Sequence, residues 1–216
     1  FGIPIIESID PASEKVQAII LAPTRELAIQ ITDEMREVAV CHEGVRIVCL
    51  YGGQPIGKQI EALKRRPQIV VATPGRLSDH MKRRTVVVKD VKTVVLDEAD
   101  RMLDMGFIHD VTRILDKIPN RKNLGMFSAT ISREVMDISW VYQRDPAEIT
   151  VHAVAENKPD IQQYRIEIDR GEKANLTAML MEAGGYERAI AFCNTKNMTD
   201  RLTGLLKMRG IQANCI

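Results

Sequence analysis

Short apolar runs recur along the chain, and each is followed by a segment of helical period. They are Ala18-Ile19-Ile20-Leu21, Ile47-Val48-Cys49-Leu50, Ile69-Val70-Val71-Ala72, Val94-Val95-Leu96 and Leu124-Gly125-Met126-Phe127. Successive side chains of a strand point to opposite faces, so a run that is apolar at every position needs cover on both. A sheet wetted on one face would alternate apolar with polar residues, and these runs do not. They predict buried parallel strands joined by crossover helices, an α/β fold. The first crossover shows the expected helical spacing, with Leu27, Ile31, Met35 and Val38 on one face.

A second organisation begins after Asp145-Pro146. Residues 151–160 are polar, contain Pro159 and show no period, which reads as a linker. Beyond it, Ile161 to Ile168 and Ala189 to Cys193 read as strands, with helices around Lys173 to Ala183 and from Asn197 to Arg209. The expected division is a first α/β domain over 1–150, a linker over 151–160 and the start of a second domain over 161–216. No apolar stretch approaches the ~20 residues that a membrane helix needs. Cys41, Cys49, Cys193 and Cys215 form no Cys-x-x-Cys pair, and the expectation is buried thiols in a reducing, cytoplasmic compartment. The four histidines are dispersed without i,i+4 pairing, which predicts surface or singly hydrogen-bonded side chains and no structural zinc. A net charge of +1 decides nothing about nucleic acid, because phosphate binding depends on a local cluster of contacts.

Chemistry enters where strands end, since ligands of open α/β sheets bind at the carboxyl ends of the strands. Asp97-Glu98-Ala99-Asp100 follows Val94-Val95-Leu96. An Asp there can hold magnesium beside a phosphoryl group, and an adjacent Glu can orient or deprotonate water. The same residues could instead cap the next helix. Pro23-Thr24-Arg25, Gly52-Gly53 and Thr73-Pro74-Gly75-Arg76 each follow other strands. Helix N-termini, arginines and glycine backbones at those places can receive phosphates. Caps, turns and a solvated arginine are the alternative for each. Ser128-Ala129-Thr130 ends a further strand, with hydroxyls small enough to bond a carboxylate such as Asp100 or to cap the helix that follows.

In this order, Pro-Thr-Arg-Glu-Leu-Ala, Gly-Gly, Thr-Pro-Gly-Arg, Asp-Glu-Ala-Asp and Ser-Ala-Thr resemble the DEAD-box RNA helicases of superfamily 2. Arg101 to Phe107 looks like the family's continuation, and Ala189 to Thr195 resembles its first motif in the second domain. The resemblance implies RecA-like domains, ATP with Mg2+ as cofactor, and single-stranded RNA as partner. It implies that Asp97 and Glu98 handle magnesium and the hydrolytic water, and that Asp100, Ser128 and Thr130 couple hydrolysis to domain closure. Pro23, Thr24, Arg25, Gly52, Gly53, Thr73, Pro74, Gly75 and Arg76 would hold the RNA backbone. The family's adenine-reading Gln motif and its Gly-rich phosphate loop with Lys are expected before Phe1, and its later second-domain motifs after Ile216. A non-catalytic RNA-binding or interaction fragment is the competing expectation, and a DNA-directed helicase a further one. Without the phosphate loop, these 216 residues alone are expected to bind ATP weakly and to hydrolyse none above background. Calorimetry on the isolated chain checks this, and low-micromolar ATP affinity would contradict it.

Overall fold

The computed structural model describes residues 1–151, 161–169 and 171–215. Two compact units are present, Phe1–Ile149 and Thr150–Ile216. In the first, the chain runs α1 (Gly2–Ser8), β1 (Ala18–Leu21), α2 (Arg25–Val38), a 3-10 turn (Ala39–Cys41) and β2 (Ile47–Leu50). It continues through α3 (Ile56–Leu63), β3 (Ile69–Ala72), α4 (Pro74–Lys82) and β4 (Thr93–Leu96). The last elements of this unit are α5 (Ala99–Asp104), α6 (Ile108–Asp116), β5 (Asn123–Met126) and α7 (Arg133–Tyr142). All five strands are parallel in the order β2-β3-β1-β4-β5.

The uninterrupted apolar runs become two separate cores. Ile19, Leu21, Val70, Ala72, Val94 and Leu96 face one way, onto Leu77 of α4, Val111, Ile114 and Leu115 of α6, and Val135 and Ile138 of α7. Ala18, Ile20, Ile69, Val71 and Val95 face the other way, onto Ile5 and Ile6 of α1 and Ala28, Ile31 and Met35 of α2. Central strands β1 and β3 are buried at every position, whereas edge strands β2 and β5 are only partly covered. On α2, Leu27, Ile31 and Met35 turn to the core but Val38, at the helix end, is 41% exposed.

The edge position of β2 also corrects the expectation of buried thiols. Cys49 is half-buried, because only one face of β2 is well covered, and burial pushes its thiol up against the pull of the Thr32 hydroxyl. Cys41 lies exposed in the 3-10 turn, Cys193 is half-buried and Cys215 is exposed. His42 and His109 are on the surface, but His80 is buried and bonded through both ring nitrogens, contrary to the expectation of a singly bonded ring. His152 lies outside the described residues.

In the second unit, α8 (Lys173–Ala183) and α9 (Lys196–Met208) form, the latter capped by Thr195 accepting from Met198 N. Neither Ile161 to Ile168 nor Ala189 to Cys193 is a strand. A strand exists only in a ladder, and no described residue pairs with either segment; Ile190 and Phe192 are 82% and 95% exposed. The expected linker lies outside the described residues apart from Val151.

Candidate active site

Register decides where the site is. Leu21 of β1 aligns with Ala72 of β3 and with Leu96 of β4, Ala72 aligns with Leu50 of β2, and Leu96 with Met126 of β5. Five strands therefore end flush, and five connections leave one rim of the sheet. Across that rim they follow strand order: Gly52-Gly53, Thr73 to Arg76, Pro23 to Arg25, Asp97 to Asp100, then Ser128 to Thr130.

The acidic side is built on β4 and β5. Asp97 is half-buried, and its Oδ1 accepts from Glu98 N at 3.0 Å. Burial pushes the Asp97 carboxyl above its ordinary value, the adjoining backbone bond pulls it down, and the Glu98 carboxylate pushes it up again. A carboxylate whose charge is penalised in this way is stabilised by a cation. Glu98 is the N-cap of α5 with φ 48° and ψ 52°, a left-handed conformation that costs a non-glycine residue roughly 1–3 kcal/mol. Its carboxylate meets Arg101 Nη1 at 3.1 Å, with both side chains largely exposed. The sharp turn breaks the path from strand to helix, and Ala99 N donates to Phe127 O at 2.9 Å.

Asp100 then reaches the neighbouring connection. Its Oδ2 accepts from Thr130 Oγ1 at 2.6 Å and from Thr130 N at 2.9 Å, while Asp100 N donates to Ser128 Oγ at 3.2 Å. Ser128 Oγ donates onward to Thr130 O at 2.7 Å. The Thr130 hydroxyl above all, with the backbone donors, holds the Asp100 carboxyl below its ordinary value. Neither hydroxyl caps α7; Ser132 does so, accepting from Val135 N.

On the other side, two arginines tie three connections together. Arg25 lies over the Tyr51 ring at 5.0 Å, reaching past the end of β3 to the connection after β2. Gly53 sits beneath it at φ 85°, a conformation glycine adopts without strain. Thr24 caps α2 by accepting from Leu27 N at 3.3 Å. Thr73 makes no side-chain cap, and Pro74 occupies the first turn of α4 beside Gly75. Arg76 Nη1 donates to Gln54 O at 3.0 Å and Gln59 Oε1 at 3.3 Å. Its other N–H groups have no partner among the described residues.

Sequence reasoning missed what holds Arg76. Gln59 is buried on α3, and its Nε2 donates to Tyr51 O and to Gln54 Oε1, both at 2.9 Å. Its Oε1 must then accept, so His80 Nε2 carries the proton at 3.0 Å and His80 Nδ1 is free to accept from the Thr85 hydroxyl at 2.8 Å. A lone Gln and a lone His at helical spacing carry no signal that would have linked them. Among the described residues no group of three His, Cys, Asp or Glu side chains could enclose a metal ion. A hard cation at Asp97 would have to take most of its oxygens from a ligand and water, which is how Mg2+ binds beside phosphates.

The family model of the DEAD/DEAH box helicases matches residues 1–138. The chain belongs to that family. DEAD-box ATP-dependent RNA helicases CshA of Bacillus licheniformis and Geobacillus kaustophilus are 43% and 41% identical over the whole chain, which spans 44% and 46% of their lengths. The crystal structure of a DEAD box protein from the hyperthermophile Methanococcus jannaschii matches with a TM-score of 0.67 and 38% identity, over 100% of this chain and 57% of that one. The chain thus spans less than half the length of these curated helicase relatives. For a DEAD-box chain, the rim places the Asp97–Asp100 and Ser128–Thr130 connections side by side and the three basic and glycine-rich connections together beyond them.

The buried brace behind Arg76 has a pH signature. Burial, and then the Arg76 charge, lower the His80 pKa from its ordinary 6.5. The folded state therefore holds fewer protons than the unfolded state between the two values, so stability is complete above 6.5 and is lost as pH falls toward the lowered value. His80→Gln keeps a donor toward Gln59 and removes the titration. Melting temperature plotted from about pH 7.5 to 5 should fall less steeply in His80→Gln than in the wild type; parallel profiles would assign the titration to another group.

Proposed function

We propose that the protein carrying this chain is an ATP-dependent RNA helicase that couples hydrolysis to binding of single-stranded RNA and to local duplex unwinding or RNP remodelling. The reading is carried by the division of one rim into a carboxylate side and a side of arginines, helix N-termini and glycine backbone. It agrees with the names of the relatives. Residues 1–150 are assigned as the first RecA-like domain, 151–160 as a linker and 161–216 as the start of a second. Free thiols at Cys41, Cys49, Cys193 and Cys215 suit a cytoplasmic protein.

Bound Mg2+ and ATP would supply the electrophilic phosphorus and neutralise its oxygens. Asp97 is the metal-side carboxylate, acting directly or through water, and its burial favours the cation that offsets its charge. Glu98 receives the proton of the attacking water, standing at the rim on its left-handed backbone beside Arg101. Asp100, Ser128 and Thr130 bond to one another. They lock the β4 connection to the β5 connection, which suits transmission of hydrolysis to closure. Pro23, Thr24, Arg25, Gly52, Gly53, Thr73, Pro74, Gly75 and Arg76 form the track for RNA phosphates. Such contacts position a strand without reading its bases.

Two experiments on the full-length protein test this. Glu98→Gln keeps a hydrogen-bonding group but cannot take a proton, so RNA-stimulated ATPase should fall by roughly 10²–10⁴-fold while nucleotide binding is nearly intact. Equal rates at saturating RNA would remove Glu98 from the mechanism. Changing Ser128 and Thr130 together to Ala removes bonds that contribute about 1–3 kcal/mol when the partner is charged, enough to bias a closure equilibrium by about tenfold. Unwinding should drop clearly while ATPase stays within a few-fold of wild type, and a parallel fall of both activities with melting temperature would instead mean a structural role.

A further inference from the structure

A cavity lies at the far ends of α4 and α6, away from the catalytic rim. Both helices start at the rim, where Gly75 of α4 lies beside Asp110 of α6, and both run away from it. The cavity measures ≈ 460 Å³. That is the scale of a pocket that takes a small ligand or a few side chains, roughly 300–1,000 Å³. Met81, Val86 and Val88 contribute an apolar floor, and Val87 stands 55% exposed at its side.

Lys82, Lys89, Arg113 and Lys117 surround that floor, and among the described residues no acidic side chain joins the wall. The chain as a whole has 30 basic and 29 acidic residues, so the cluster departs locally from near-neutrality. Arg113 has Asp110 at 3.5 Å, while Lys82, Lys89 and Lys117 have no carboxylate within ion-pair distance among the described residues. Lys82 and Lys117 complement the C-terminal ends of α4 and α6. That account leaves Lys89 and the apolar floor unexplained. It also leaves Ser78, a wall residue only 4% exposed, whose buried hydroxyl has no hydrogen-bond partner among the described residues. Buried hydroxyls are ordinarily paired.

We propose that this cavity is a docking site for an acidic segment of a partner protein, which seats one apolar side chain on the valine floor and its carboxylates among Lys82, Lys89, Arg113 and Lys117. Nucleic acid would match the charge but would leave the apolar floor unused. A neutral apolar segment would fill the floor but leave Lys82, Lys89 and Lys117 without carboxylate partners. An acidic segment with an apolar anchor satisfies both.

The test uses the full-length protein and a fluorescein-labelled peptide, Glu-Asp-Leu-Glu-Asp-Phe-Glu-Asp, followed by anisotropy. Binding should weaken at least tenfold when Lys82, Lys89 and Lys117 are changed together to Glu. Val87→Asp, at a position 55% exposed, should weaken it similarly with the melting temperature unchanged. Replacing Leu and Phe of the peptide by Ser at constant charge should abolish binding. The RNA-stimulated ATPase should not change in any of these variants. Three results would overturn the proposal: no binding of the peptide, equal binding of the Ser-substituted peptide, or equal binding to the Val87→Asp variant. Complete displacement of the peptide by poly-uridylate would also overturn it, in favour of a nucleic-acid surface.

Discussion

Everything at the rim depends on the flush register of one parallel ladder. With Leu21, Leu50, Ala72, Leu96 and Met126 all last in their strands and aligned across the sheet, the next residues of all five connections emerge at one level. Parallel pairing requires a crossover between successive strands, so these connections come from widely separated parts of the sequence. Gly53, Arg76, Arg25, Asp97 and Ser128 become neighbours in that spatial order only because β1 lies inside the sheet, between β3 and β4. A slip of one strand would turn its side chains to the wrong core and carry its connection out of line with the others. The double burial of β1 and β3 is what opposes such a slip.

On that platform, the two sides of the rim are fixed by different interactions. The basic side relies on polar groups behind it: Gln59 and His80 form a buried relay whose outer end is Arg76. The guanidinium is thus preoriented before any ligand arrives, and less rotamer freedom remains to be lost on binding. The carboxylate side relies on backbone strain and short bonds at partly exposed positions, with Glu98 in the left-handed region and Asp100 held by Thr130. Exposed bonds of this kind are individually weak and can be exchanged. Rigidity on one side and exchangeable contacts on the other suit a surface that holds one ligand while rearranging around another.

The strands were legible because apolar runs without alternation have few alternatives, and the positions of the carboxylates, arginines and hydroxyls followed from strand ends. Burial at the edges was not legible. Cys49 looks as apolar in sequence as Val71, yet β2 is an edge strand and β3 is not, and edge status is a property of strand order. Gln59 and His80 were missed for a related reason: a buried polar residue is recognised by its partners, and theirs lie on other elements. The segments Ile161 to Ile168 and Ala189 to Cys193 have strand composition, but composition cannot supply the neighbour that a strand needs. Thr24 and Ser132 cap their helices as local chemistry suggests, while Thr130, equally suited to capping, turns to Asp100 instead.

The same ladder that gathers the rim also separates it from the opposite end of the unit. α4 carries both ends of this separation: Pro74 to Arg76 stand at the rim, and Lys82 stands by the cavity about two turns further along the helix. His80 and Ser78 lie between them, one bonded through both ring nitrogens and the other without a hydrogen-bond partner among the described residues. A close-packed helix moves as a body rather than bending residue by residue, so an occupant at one end can act on the other only by shifting or stiffening α4 against α6 and the sheet. The His80 relay resists such a shift, since displacing α4 would break its bonds to Gln59 on α3. Coupling between the two ends would therefore have to work against a satisfied buried network, and the physical expectation is that the rim and the cavity act independently.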